Sequence, residues 1–187
     1  AAGGADEGRG PVSGRVAGGR VLVETATLAA TLEDGSLTSL RSRHTGEEVL
    51  GGKRSPGAAV DLVFRGGERV AVGARRFGRV TARALSERRA EVIVEGWDGD
   101  AVVAVGGDPE TGDLLVEPSA FSSRPGLRAC RWWIDGLRPD LRLVAPLFQG
   151  VNLALDDPLV RDSHWAWPMF WEAGLAILQG PGSGFWV

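Results

Sequence analysis

The sequence predicts an all-β chain folded as a large antiparallel sandwich of two sheets. Short runs rich in Val, Leu, Ile and Thr recur from residue 21 onward, and Gly, Pro and Asp-Gly turns separate them. The 28 glycines and 10 prolines among 187 residues favour many short elements over a few long ones. No segment shows a sustained helical period with caps, and only 168–173 could form a single helical turn.

Fourteen candidate strands follow from this pattern. In 79–85, polar and small apolar residues alternate, as expected for a strand with one buried face. Asp34-Gly35 lies between two alternating runs and is a two-residue hairpin signal. So many strands suit a large sandwich, in which each sheet buries one face against the other. The candidate strands are 21–25, 27–33, 37–42, 59–64, 69–72, 79–85, 90–95, 101–105, 114–117, 128–134, 141–145, 151–155, 175–179 and 185–187.

Two regions are predicted along the chain, a flexible N-terminal tail at 1–19 and a β-sandwich domain at 20–187. The first region is dominated by Gly and Ala and has no apolar periodicity. The last four residues, Gly-Phe-Trp-Val, have the pattern of an interrupted strand. Because an unprotected apolar strand end invites pairing, we expect the sandwich to be incomplete at its C-terminus and the natural polypeptide to continue.

Charge and cysteine content disfavour several classes of function. The formal net charge is -3, and the arginines are spread with no run longer than two, which argues against nucleic-acid and membrane-surface partners. No apolar run approaches the roughly 20 residues of a spanning helix. Cys130 is the only cysteine, which excludes an intrachain disulfide and a cysteine-based zinc site. We expect no cofactor and no metal.

Three groups of short motifs, in order along the chain, resemble one known family. Residues 28–48 read as a strand, a tight turn, a G-x-L-x-S-L strand and a T-G-x-E turn. This pattern resembles the opening hairpin of the galactose-mutarotase-like supersandwich found in many bacterial glycoside hydrolases. Residues 131–137 and 143–151 are similar to a later part of that domain. Residues 167–175 and 184–187 are similar to strands of uncharacterised glycosidases related to endo-α-N-acetylgalactosaminidases.

The resemblance implies a non-catalytic N-terminal domain that buttresses a catalytic (β/α) barrel. Such a barrel takes about 250 further residues, so the resemblance places the catalytic carboxylates outside this chain and no catalytic residue within it. The partners it implies are a carbohydrate, as an oligosaccharide or glycan, and the barrel of the same polypeptide. For a bacterial enzyme of this kind, both a secreted and a cytoplasmic location stay open, and the resemblance favours secretion.

Clustered tryptophans provide the candidate binding site. Six of the seven lie between residues 132 and 186. An indole stacks on the apolar face of a pyranose, while carboxylate and imidazole groups hydrogen-bond its hydroxyls. We therefore predict a sugar platform, with the alternative that these tryptophans fill the core or dock on a neighbouring domain. The predicted substrate-binding residues are His164, Trp165, Trp167, Trp171 and Glu172.

Two other functions stay open from the sequence. A self-standing enzyme of the aldose-epimerase type would use His164 and Glu172 as general acid and base on the sugar ring. A sugar-binding or cell-surface module would instead expose Trp165, Trp167 and Trp171 in one plane. His44, the other histidine, lies beside a predicted turn and is assigned a structural role.

Overall fold

The regular secondary structure in the described part of the chain is almost entirely β-strand. The structure is a computed structural model, and it describes residues 12–17, 19–52, 59–73, 79–146, 150–161 and 175–187. Its elements are β1 (Ser13–Ala17), β2 (Arg20–Glu24), β3 (Leu28–Glu33), β4 (Ser36–Ser42), β5 (Val60–Phe64), β6 (Arg69–Val72), β7 (Arg79–Ala84), β8 (Arg89–Trp97), β9 (Gly99–Gly107), β10 (Leu114–Ser122), β11 (Leu127–Arg131), β12 (Arg142–Ala145), β13 (Val151–Ala154), α1 (Pro158–Arg161), β14 (Ile177–Gln179) and β15 (Gly184–Trp186). Within these ranges no helix has the length and apolar character needed to cross a membrane.

The strands form four small antiparallel sheets, arranged as a four-bladed β-propeller. The first sheet is the meander β1-β2-β3-β4, and the second is the meander β10-β9-β8-β7. The third sheet has the order β11-β5-β6, and the fourth has the order β13-β12-β14-β15. The predicted all-β class is therefore confirmed, but the predicted two-sheet supersandwich is wrong. Alternation shows which face of a strand is buried, whereas it does not show which strands share hydrogen bonds.

Every candidate strand of the sequence has a counterpart in the structure. The ends differ by a few residues, most clearly at β10, which continues to Ser122 although the predicted strand ends at residue 117. The predicted Asp34-Gly35 hairpin is confirmed, because β3 and β4 pair on either side of this turn. Both turn residues have positive φ angles, 50° and 82°, as a two-residue hairpin turn of this class requires.

One strand lies where the sequence predicted a flexible tail. Residues 1–19 were expected to lack structure, yet Ser13–Ala17 forms β1 and pairs with β2 along its whole length. Gly14 N also donates a hydrogen bond to the Glu87 carbonyl, 2.7 Å away, beyond β7. The first sheet therefore begins inside the segment assigned to the tail.

The first three sheets share one apolar core, and alternate residues of β2, β8 and β9 are buried in it. In β8 and β9 the small aliphatic side chains are fully enclosed, and β2 packs on these two strands. In β5 the inward side chains include Leu62 and Phe64. Trp132, Phe185 and other half-buried residues pack against this core from its rim. These contacts place aromatic residues of the fourth sheet and of the β11–β12 connection against the core.

Candidate functional site

An open groove of about 1060 Å³ lies at the rim of the core. Parts of the chain that are distant in sequence line it: the β3 and β4 ends with the following turn, the start of β10, the β11–β12 connection, and the β14–β15 hairpin. No single sheet provides more than one side of it. The groove is thus a product of the way the sheets meet.

Three tryptophans line this groove and differ in their exposure. Trp132 packs against the core, and its indole N–H donates to the Gly35 carbonyl at 2.9 Å. Trp133 is 37% exposed and Trp186 is 62% exposed. Large apolar side chains usually leave water on folding, so two open indoles beside one groove form a surface suited to an aromatic contact with a ligand.

One side of the groove is held by two threonines from the β2–β3 connection. Thr25 Oγ1 donates to the Gly112 carbonyl at 2.6 Å, and Thr27 Oγ1 donates to the same oxygen at 2.8 Å. Gly112 belongs to the turn between β9 and β10, which also closes by the hydrogen bond from Gly112 N to the Asp108 carbonyl. This anchored turn places Thr111 and Asp113 on the groove.

Polar side chains stand at the edge of the groove near the aromatic surface. Arg41 at the end of β4 and His44 in the following turn are exposed and line it. Among the described residues, neither of these two side chains has a hydrogen-bond or ion-pair partner. Asp113 lines the groove from the β9–β10 side. The groove therefore combines apolar faces with donors and acceptors that are available to a ligand.

Two segments that line the groove are joined by an ion pair and a hydrogen bond to one carboxylate. Glu47 Oε1 accepts a hydrogen bond from Arg138 Nη2 at 2.9 Å. Glu47 Oε2 accepts one from Ser183 Oγ at 2.5 Å. The hydrogen bond from Ser183 holds the pKa of Glu47 below its ordinary value, and Arg138 contributes in the same direction. This cluster joins the turn after β4 to the β14–β15 hairpin.

The five binding residues predicted from the sequence lie outside the described residues. They are His164, Trp165, Trp167, Trp171 and Glu172. The groove that the structure does describe is lined by His44, Trp133 and Trp186, among others. From the sequence, His44 was expected to have a structural role. The exposed indoles belong to the tryptophan cluster that the sequence singled out.

Other reactive groups in the described ranges form no recognisable centre. No set of three or more His, Cys, Asp or Glu side chains there is grouped so that it could hold a metal ion. Cys130 is half-buried in β11, and burial raises the pKa of its thiol to about 11. A thiol with such a pKa is protonated at neutral pH and is a weak nucleophile.

Comparison of the chain with protein-family models, with curated proteins and with solved structures finds no match in any of the three.

Proposed function

We propose that this chain is a non-catalytic carbohydrate-binding domain of a carbohydrate-active enzyme, and that the groove holds the sugar. The observation that supports this most is the pair of open indoles, Trp133 and Trp186, beside one groove. The association with a glycoside hydrolase, its catalytic barrel and its bacterial, secreted setting comes from the short sequence motifs.

Sugar chemistry fits this surface better than a wholly apolar ligand does. A pyranose has C–H groups on one face and hydroxyls around its edge, so it needs an aromatic plane and hydrogen-bonding groups together. The groove offers both, because Arg41, His44 and Asp113 stand at its rim. Its volume is at the upper end of the roughly 300–1,000 Å³ typical of small-ligand sites, which suits a short oligosaccharide.

Binding of soluble oligosaccharides, selected by a glycan array and measured by titration calorimetry, tests the proposal. We expect Trp133→Ala and Trp186→Ala each to weaken the binding by about tenfold or more, because each loses a stacking contact of roughly 1 kcal/mol together with buried apolar area. Both side chains are partly exposed, so thermal unfolding should show that the variants stay folded.

Phe121→Ala provides the matched control for these variants. Phe121 in β10 is 70% exposed and does not line the groove, so its removal tests the loss of any exposed aromatic group. Its affinity should equal that of the wild type. Equal affinity in all three variants, or the absence of any binding glycan, would contradict the proposed function.

A further inference from the structure

The carboxylate of Glu47 connects two segments that form walls of the groove. Its side chain is only 12% exposed. One wall is the turn that follows β4 and contains His44, and the other is the β14–β15 hairpin, which contains Trp186. Glu47 belongs to the first wall by sequence and contacts the second through Ser183. It is therefore placed to link them.

On the first wall, the Glu47 backbone helps to close the turn. Ser42 N donates to the Glu47 carbonyl at 2.9 Å, and Gly46 N donates to the Ser42 carbonyl at 2.9 Å. Glu47 N donates to Thr45 Oγ1 at 3.3 Å. The residues between 42 and 47, with His44 among them, are therefore held in one compact loop.

On the second wall, the carboxylate is seated against the hairpin turn. Gly180 N donates to the Ser183 carbonyl at 2.7 Å and closes this turn. A Cβ at Gly180 would collide with Glu47 Oε1, so the absence of a side chain at residue 180 makes room for the carboxylate. β15 starts directly after the turn, and Trp186 pairs with Ile177. A shift of the turn would therefore move Trp186.

The charge of Glu47 is balanced by Arg138, which lies in the connection between β11 and β12. Arg138 also donates to the Glu48 carbonyl at 2.8 Å through Nη1 and bonds Asp140 through Nε and Nη2. Arg138 forms the ion pair with this carboxylate, and Asp140 pairs with Arg138 in turn. These hydrogen bonds hold the Arg138 guanidinium in place. Because Arg138 bonds to Glu47 Oε1, the other oxygen, Oε2, is directed toward Ser183 in the hairpin.

We infer that Glu47 is a positioning residue, which fixes the distance between the His44 wall and the Trp186 wall of the groove. This inference rests on the proposed sugar function for its biological meaning, but its structural content does not need a ligand. Glu47 itself is not among the residues that line the groove. It acts through the hairpin that presents the exposed indole.

Fluorine NMR on protein labelled with 5-fluorotryptophan tests the inference without a sugar. The Trp186 signal is assigned by its loss in Trp186→Phe. In Glu47→Ala we expect this signal to shift and the backbone amides of the β14–β15 hairpin to exchange at least tenfold faster. The signal of Trp97 in β8 should stay in place. Glu47→Gln keeps an oxygen that accepts from Ser183, so it should restore much of the wild-type behaviour.

A second variant and a control complete the experiment. Ser183→Ala removes only the hairpin hydrogen bond, so it should reproduce the effect of Glu47→Ala if the latter does not fold. Glu33→Gln removes an exposed ion pair with Arg20 and should change neither the Trp186 signal nor the hairpin exchange. An unchanged Trp186 signal and unchanged hairpin exchange in folded Glu47→Ala would overturn the inference.

Sugar affinity separates this inference from the proposed function. If the wild type binds an oligosaccharide, Glu47→Ala should bind it at least tenfold more weakly, whereas Glu33→Gln should bind it as the wild type does. If the wild type binds no sugar but the Trp186 signal responds as described, the proposed function fails and the positioning role of Glu47 stands.

Discussion

Glu48, next to Glu47 in sequence, stabilises the edge of the first sheet rather than the groove. Its Oε1 accepts hydrogen bonds from Leu40 N at 2.8 Å and from Leu50 N at 3.0 Å. Its Oε2 accepts a third from Ser39 Oγ at 2.5 Å. Burial alone would raise the pKa of Glu48, but these hydrogen bonds favour the charged form and lower it overall. The carboxylate thus satisfies hydrogen-bond donors of the edge strand β4 and of the segment that follows it.

The lowered pKa of Glu48 makes stability depend on pH. A carboxyl whose pKa is lower in the folded state stabilises the fold fully above its unfolded value, about 4.5, and loses this contribution as pH falls through the folded pKa. We expect the free energy of unfolding, measured with urea, to decline in this acidic range. Glu48→Gln should be less stable than the wild type at pH 7 and should show a flatter decline.

Glu110→Gln is the control for this measurement, because Glu110 is exposed in the turn between β9 and β10. It should follow the wild-type profile at each pH. A Glu48→Gln profile parallel to that of the wild type would contradict the assignment of the acid sensitivity to Glu48.

The sequence indicated which type of residue would form the site, but not which individual residues. The sequence marked the tryptophans between 132 and 186 as unusual, and three of them, Trp132, Trp133 and Trp186, line the groove. Nothing in the sequence indicated that His44 would line the same groove, because the turn after β4 and the β14–β15 hairpin meet through contacts between distant residues, such as that of Glu47 with Ser183. These two residues are 136 positions apart.

The hairpin β3–β4 shows how local chemistry determines an element. Asp34 and Gly35 both adopt positive φ, which Asp and Gly tolerate better than other residues. The Gly35 carbonyl also accepts the hydrogen bond from the Trp132 indole. The turn therefore shapes the first sheet and supports an aromatic residue of the groove.

Gly35→Ala tests this turn. The new Cβ would lie 2.6 Å from Ala59 Cβ, so the variant combines left-handed backbone strain with a steric clash. We expect a loss of about 2–4 kcal/mol in the free energy of unfolding, from roughly 1–2 kcal/mol of strain and a similar cost of overpacking. Gly66→Ala is the matched control, because Gly66 has φ 89° and open space around its Cα. Gly66→Ala should lower the free energy of unfolding only by the strain component. Equal losses of stability in the two variants would contradict the predicted clash with Ala59.

Strands were predictable because alternation and turn residues are local signals. β1 was missed, since Ser13–Ala17 offers little apolar pattern within a Gly-rich segment. Its formation depends on pairing with β2 and on the contact of Gly14 with Glu87, which lie elsewhere in the sequence. An element that is stabilised mainly by its neighbours has a weak signature of its own.

The arrangement of the whole molecule was not predictable from the same signals. β5 pairs with β6, its neighbour in sequence, but also with β11, and β12 pairs with both β13 and β14. These non-local pairings divide the strands into four sheets rather than two. Hydrophobic alternation is satisfied equally by either arrangement, because in both of them each strand buries one face.

The groove is also a property of the whole molecule, because it exists only where the sheets meet. Its walls come from the first, second and fourth sheets and from the connection before β12. Trp133 and Trp186 are far apart in the chain and share the groove through that assembly. The tryptophan cluster was visible in the sequence, whereas the surface that the two indoles form was not.

The most direct test of the groove is a titration of the ¹⁵N-labelled protein with an oligosaccharide that it binds. The indole N–H signals are followed during this titration. Each signal is assigned by a single Trp→Phe variant. If the sugar binds in the groove, we expect the indole signals of Trp133 and Trp186 to shift. The signal of Trp97 should not shift, because its indole N–H donates to the Val94 carbonyl away from the site. Saturable shifts at other indoles, with those of Trp133 and Trp186 unmoved, would contradict a sugar site in this groove.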